Sequence, residues 1–428
     1  MQLSQRQILF IGIVVVAIGA TVFFIFSSLK SGSSGGIDDL QTQKSKKLSV
    51  WGIDDPRAFA TIKKNFEGIN KTVVVNYSQI DESIIQDQLV NALALNQGPD
   101  VVMIKNRTLA AKKSLFLPAP AAKMSFSKLQ SLFPTVVEQD FTDKTRQVYA
   151  LPLSIDTLAL VYNKDFFDQA RIITPPKTWS DLIDIIPNLV EKGDGGRIER
   201  AAIGLGGSTK SVTNAGDILA LLYMQNGVNL SLGKLERSTV GRRVFDFYLQ
   251  FSNPRSLSYT WSDLQLNDID SLATLRSAMA LMYARQLENL KVQSPYLHYG
   301  IAAMPQFGSA VDYADYWGLA VTRDSKNAAI AWDFVTYATT VSENALSYMK
   351  ATKQPPALRN LLQSNYDSPE FGVFAKQALT ARSWAVLNDD ESRIIFSDMI
   401  SSYLTGQMDQ DAALGRAENL LSRIIVKK

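Results

Sequence analysis

Between Leu48 and Ile104 the chain alternates short apolar runs with longer amphipathic stretches, and that rhythm admits few folds. Leu48-Ser49-Val50-Trp51 reads as a strand closed by Gly52-Ile53-Asp54-Asp55-Pro56, where Pro56 suits a first helical turn. Phe59, Ile62 and Phe66 then fall on one helical face. The β-branched Thr72 to Tyr77 is a second strand, and Ile84, Ile85, Leu89, Leu93 and Leu95 mark a second helix. Asn96-Gln97-Gly98-Pro99 stops that helix. The unbroken apolar run Val101 to Ile104 has the pattern of a parallel strand buried on both faces. Strand, helix, strand, helix, strand is the doubly wound α/β pattern.

A less clear version follows. Strands are expected over Ser154 to Tyr162, Ala201 to Leu205 and Ala278 to Tyr283. Helices are expected over Trp179 to Val190, interrupted by Pro187, and over Asp217 to Gln225 and Gly241 to Phe251. About 380 residues after Leu48 exceed one comfortable core, so two α/β lobes with a helical C-terminal section are expected.

Ahead of this body, Ile8 to Leu29 holds no charge, proline or amide. As a helix it spans roughly 30 Å, the thickness of a bilayer's hydrocarbon. The run exceeds the core of an export signal, and no small-x-small cleavage site follows it. An uncleaved single-pass anchor over 1–29 is therefore expected, with lipid bilayer as one partner. The Ser/Gly/Lys-rich stretch 30–47 reads as a flexible linker.

Composition removes several function classes. The formal net charge of +3 leaves no electrostatic footprint for nucleic acid. With no cysteine there is no thiol nucleophile, disulfide or cysteine-ligated metal, and with one histidine, His298, no polyhistidine centre. No cofactor or metal is expected. Asp54-Asp55 and Asp389-Asp390-Glu391 read as solvated turns or helix caps rather than acid/base pairs. Gly204-Leu205-Gly206-Gly207-Ser208 lacks the Lys-Ser/Thr ending of a phosphate loop and reads as a tight turn bordering a cleft. His298 reads as a plain packed or surface histidine. Trp51, Tyr283, Trp317 and Trp384, in contrast, stand at or beside expected element ends. An aromatic face there can pack on the C–H side of a sugar ring while nearby polar groups meet its hydroxyls. Core packing is the competing reading for each.

Specific strings then accumulate in order: VWGIDD, LNQGPDVVMI, YALPLSIDTLALVYNKDFFDQA, PPKTWSDL, AAIGLGG, NAGDILALLYMQNG, SAMALMYA, MPQF, DYADYWGLAV, NAAIAWDFVTYATT and TARSWAVLNDD. In order and spacing they resemble the family 1 extracellular solute-binding proteins of ATP-binding-cassette importers, which include maltose- and other sugar-binding proteins. The resemblance runs from about Leu48 to Ile425. It implies a periplasmic-binding-protein-like fold of two α/β lobes joined by a multi-crossing hinge, here preceded by one transmembrane helix. Lobe 1 would comprise 48–153 and 313–350, and lobe 2 would comprise 154–312 and 351–428. A small solute, a carbohydrate by this resemblance, would bind between the lobes without covalent chemistry and pass to a membrane permease. The body would be monomeric and extracytoplasmic, held at the cell membrane.

Carried over by position, the resemblance places Asp54 and Asp55 in the first strand-to-helix loop, against sugar hydroxyls. Lys105, Asn106 and Arg107 would line the cleft after the third strand. Asp156 falls at the first crossing. Tyr283 and Arg285 would follow a strand of lobe 2, and Trp317 and Trp384 would stack on solute. One departure stands out: the aromatic expected after Val101–Ile104 is replaced by Lys105-Asn106-Arg107. Those cations could mark a charged solute or face water, so phosphorylated sugars, sugar acids and peptides stay open. A tethered carbohydrate sensor or adhesion receptor is the alternative, and an α/β enzyme the lesser one, since no motif marks an activated nucleophile.

Overall fold

The computed structural model describes residues 45–235 and 239–426. Strands β1 (Lys46–Gly52), β2 (Val73–Gln79), β3 (Val101–Lys105), β4 (Phe116–Leu117) and β5 (Ala150–Pro152) come first. Next are β6 (Asp156–Thr157), β7 (Ala159–Asn163), β8 (Glu191–Lys192), β9 (Ile198–Ile203), β10 (Ser277–Met282) and β11 (Tyr299–Ala302). The last are β12 (Asp312–Asp315), β13 (Trp317–Thr322) and β14 (Ala381–Arg382).

The first sheet has the order β2-β1-β3-β13-β4, with β5 also pairing β13. β1 lies parallel to β2 and β3, whereas β13 returns from far along the chain and runs antiparallel to β3. All five residues of β3 are buried, as its unbroken apolar run requires. Asp55 accepts the N–H of Arg57 and so starts the turn Pro56–Phe59, and the helix Ala60–Ile69 follows with Ile62 and Phe66 buried. This first core draws on residues from Leu48 to Ile155 and from Ala314 to Ala381.

The second sheet has the order β11-β7-β10-β9-β8. Its main core runs from Leu158 to Met304 and resumes with Tyr313 and with residues from Trp384 to Ile424. A third short sheet, β14-β12-β6, joins the two lobes where the chain passes between them. A bridge between Ser154 and Pro356 adds to that junction. Two α/β lobes with mixed sheets result.

Two local expectations change. Pro187 does not interrupt its helix, which runs continuously as Trp179–Leu189 behind a capping box of Thr178 and Asp181. Pro187 sits in the last turn and withdraws one main-chain donor there, and the helix still runs on to Leu189. The strand expected over Ser154 to Tyr162 is two strands, β6 in the junction and β7 in the second sheet, parted at Leu158.

The third change concerns the membrane. No helix among the described residues is long and apolar enough to cross one. The expected fold therefore needs correction: the established architecture is the two-lobed body, with no spanning helix among the described residues. The segment 8–29 and the linker 30–47, save for its last residues, lie outside the described residues. A bilayer partner and a single-pass location consequently gain no support.

Candidate functional site

Lys105 ends β3, directly across the ladder from Trp317. Its Nζ lies 2.7 Å from Asp315 Oδ1 and 3.4 Å from Glu82, and 5.2 Å from the centre of the Trp317 ring. Two residues on, Arg107 is almost wholly removed from water, at 1% exposure. It reaches Asp389 at 2.7 Å, Ser392 Oγ at 2.9 Å and the Trp384 carbonyl at 3.2 Å, with the guanidinium 4.6 Å from the Trp384 ring centre. Trp384, Asp389 and Ser392 all belong to the other side of the junction.

Asp156 accepts the backbone N–H groups of Thr157, Ala284 and Arg285. The latter two open the helix Ala284–Gln293, a position that favours a carboxylate. Arg285 meets Asp315 through Nη2 and lies over the Tyr283 ring at 4.2 Å. Tyr283 is fully buried and donates its hydroxyl to Asp217 at 2.9 Å. Arg393 closes the set: its Nε lies 3.1 Å from Asp217, and its two Nη atoms reach Asp389 at 2.8 Å and Asp315 at 3.2 Å.

The result is a continuous network of four cations, Lys105, Arg107, Arg285 and Arg393, against four carboxylates, Asp156, Asp217, Asp315 and Asp389. Burial pushes the Asp315 carboxyl up, but Lys105, Arg285 and Arg393 together hold it well below the ordinary range. Asp389 is also held low: Arg107 and Arg393 outweigh its burial. Asp156 goes the other way. Burial pushes it up to about 6 despite Arg285 and the two backbone donors.

The remaining expected residues lie nearby or elsewhere. Asn106 is buried and donates to Asp140, which also accepts from the Tyr316 hydroxyl and meets Ser383. Asp54 is half-buried and accepts the Tyr348 hydroxyl at 2.6 Å; burial raises its carboxyl to about 6. Asp55 is exposed and held down to about 2 by hydrogen bonds from Arg57. Trp51 is half-buried against the first core. Tyr283, Trp317 and Trp384 are buried, and protein groups already cover them. His298 is exposed, 3.3 Å from Asp165. Asp389, read as a solvated turn or cap, is in the first turn of the helix Asp389–Leu404 yet buried, while its neighbour Asp390 stays exposed.

Sequence reading missed Asp217, Asp315, Asp389 and Arg393. A signal existed for the first: Asp217 is the one acid in AGDILALLYMQ, a helix apolar on nearly every side. A charge there has to find a partner or pay for desolvation.

Beside the network lies a cavity of about 960 Å³. Gln139 and Asp140 line it from the helix Thr135–Phe141, whose buried apolar residues Val136, Val137 and Phe141 belong to the first core. Asn229, Leu232 and Lys234 line it from a loop anchored in the second core, and Arg382 and Trp384 lie between.

A two-lobed α/β body with its charged side chains gathered at a multi-pass junction is the build of a binding protein. The chain belongs to the bacterial extracellular solute-binding protein family, whose profile matches residues 53–345. A binding protein of Brucella abortus strain 2308 is 24% identical over 297 residues, covering 65% of this chain and 67% of that one. Among solved structures, the sugar-binding protein MalE of Xanthomonas citri is 19% identical with a TM-score of 0.73, covering 88% of this chain and 98% of that one. An ABC transporter solute-binding protein of Thermotoga lettingae, bound with α-D-tagatose, is 18% identical with a TM-score of 0.69, covering 89% and 100%. At these identities the likeness to solved structures is one of fold. Family membership assigns this chain to binding rather than catalysis.

Proposed function

We propose that this protein captures a carbohydrate between its lobes and delivers it to an ATP-binding-cassette permease. The observation that carries the reading is the junction β14-β12-β6, through which the lobes meet over short strands and loops. A few residues there can absorb a hinge motion by changing φ and ψ. Interlobe contacts such as Arg107 to Asp389 then exist in one arrangement of the lobes and not in another. A permease that senses lobe arrangement can tell loaded from empty protein. Structures of the same fold include a sugar-binding protein and one bound with tagatose, which sets the solute class proposed here.

The test is a thermal-shift screen over mono- and oligosaccharides with amino acids and peptides as controls. A ligand that binds only folded protein stabilises it by about 2.7 kcal/mol at one hundred times its Kd. A rise in melting temperature confined to saccharides supports the reading. A flat response to every saccharide, or a response confined to peptides, sinks it.

A further inference from the structure

We infer that the solute taken between the lobes is an amino-bearing saccharide, and that its cation takes the place Arg107 holds in the closed junction. This rests on the carbohydrate reading above and specifies the charge of the solute at that same site.

Arg107 is set in the second lobe as a ligand is set in a receptor. It comes from the loop after β3 in the first lobe, yet its guanidinium lies against two aromatic rings of the second core, 4.6 Å from the centre of Trp384 and 5.7 Å from that of Tyr313. Asp389 stands 2.7 Å from its Nη1 and Asp217 4.0 Å, and Ser392 Oγ accepts from Nη2 at 2.9 Å. All five of these partners are buried. Aromatic faces beside carboxylates make a seat for a cation, and the attraction grows where water is excluded. Asp217 belongs to the helix Ala215–Gln225, and Asp389 and Ser392 to the helix Asp389–Leu404, both packed in the second core. The seat is therefore assembled without the first lobe, which supplies only its present occupant.

Arg107 fills that seat incompletely. Asp389 Oδ1, the Tyr313 hydroxyl and Trp384 Nε1 are buried and have no hydrogen-bond partner among the described residues. For Asp389, the nearby Nη1 supplies charge but no aligned N–H. The three groups ask for different things. A carboxylate oxygen only accepts, an indole N–H only donates, and a phenol does either. An amino sugar offers all of it on one ring: an ammonium for the carboxylates, hydroxyls for the indole and the phenol, and a C–H face for Trp384. A neutral sugar in place of Arg107 leaves Asp217 and Asp389 paired with Arg393 alone among the described cations of the second lobe. An acidic sugar sets its own charge against both carboxylates. One cation fills the seat at a time, so Arg107 is a built-in competitor of the solute.

Calorimetric titration of the full-length chain at about pH 6, where amino sugars are protonated, tests this. The probes are the glucosamine tetramer, its fully N-acetylated form, maltotetraose and tetragalacturonate. The glucosamine tetramer is expected to bind about tenfold more tightly than any of the others, with the margin shrinking as salt rises. Arg107→Gln removes the competitor and should tighten that probe about fivefold further, whereas Arg107→Lys, which keeps a cation, stays near wild type. Should Arg107→Gln not fold, the isosteric Asp389→Asn decides: it should erase most of the preference. If saccharides bind but a neutral or acidic probe matches the glucosamine tetramer, or folded Asp389→Asn keeps the preference, the cation seat is wrong and the carbohydrate reading survives. Weaker binding to folded Arg107→Gln also overturns the seat, because Arg107 is then a solute contact and not a competitor. If no probe binds and the saccharide screen is also flat, the carbohydrate reading falls and takes the seat with it.

Discussion

Arg107 Nη1 and Asp389 Oδ1 stand 2.7 Å apart, joining the loop after β3 in the first lobe to a helix N-terminus in the second. Each is buried, and they lie 282 positions apart in the chain. Neither could remain charged there alone. Arg107 is also fixed by the Trp384 carbonyl and Ser392, and its own carbonyl accepts the N–H of Val386. The two lobes thus meet through a side-chain pair backed by a main-chain hydrogen bond.

Removing one partner of such a pair costs far more than the pair contributes. Arg107→Met keeps the apolar stem but strands Asp389 with Arg393 alone, and leaves Ser392 and the Trp384 carbonyl without their donor. We expect a loss of about 3–5 kcal/mol in urea unfolding. The double variant Arg107→Met with Asp389→Leu should recover much of it, because apolar replacement removes the stranded charge. A single variant within about 1 kcal/mol of wild type would show that the pair is open to water in solution.

Asp156 sets a pH dependence of a particular sign. Its folded carboxyl titrates at about 6, raised by burial against the pull of Arg285 and with Asp315 pushing in the same direction as burial. Between about pH 4 and pH 6 the folded chain binds more protons at this site than the unfolded one, so stability falls as pH climbs through that window. Asp54, Asp268 and Asp312 are also raised to about 6, whereas Asp315 and Asp389 are depressed and lose their contribution on acidification. The difference between wild type and Asp156→Asn isolates the one group. We expect that difference to shift by about 2 kcal/mol against wild type from pH 4 to pH 7. Parallel stability curves would mean that Asp156 is not desolvated.

Much of the fold was legible because its signals are local. The run Val101–Ile104 is a buried strand, and Phe59, Ile62 and Phe66 are buried together at the first helix. Lys105, Arg107, Asp156 and Arg285 were picked out by their positions after strands and at a crossing, and they share one network. Their partners were not legible. Arg107 meets Trp384 across 277 positions, and no periodicity reports a contact that only tertiary packing creates. The aromatic candidates failed to signal their burial for a related reason. A tryptophan at a strand end looks the same in sequence whether solute or an arginine covers it.

Gly206 shows a glycine signal resolved. Within the run Gly204 to Ser208, Gly206 sits at φ 92°, where side chains are rarely tolerated. A Cβ there would stand 2.9 Å from Ser252 N and 3.0 Å from Tyr248 O, both backbone atoms. The turn lets Ser208 and Ser211 converge on Asp263. Gly206→Ala should therefore cost about 1–3 kcal/mol through strain, with further loss from the contacts. A melting temperature equal to wild type would show that the turn can relax.

Asp315 offers the most direct control of lobe arrangement. It receives Lys105 from the first lobe, and Arg285 and Arg393 from the second. Asp315→Asn preserves shape but withdraws the negative charge that three cations share, leaving Lys105 with only the exposed Glu82. Like charges then face each other across the junction, and the arrangement that brings them together loses its electrostatic support. We expect solute-free Asp315→Asn to give a larger radius of gyration than wild type by small-angle scattering, with secondary structure retained by circular dichroism. High salt should narrow the gap by screening the repulsion as the variant opens to solvent. Identical scattering from a folded variant would place control of closure outside the ion network, in the junction strands themselves.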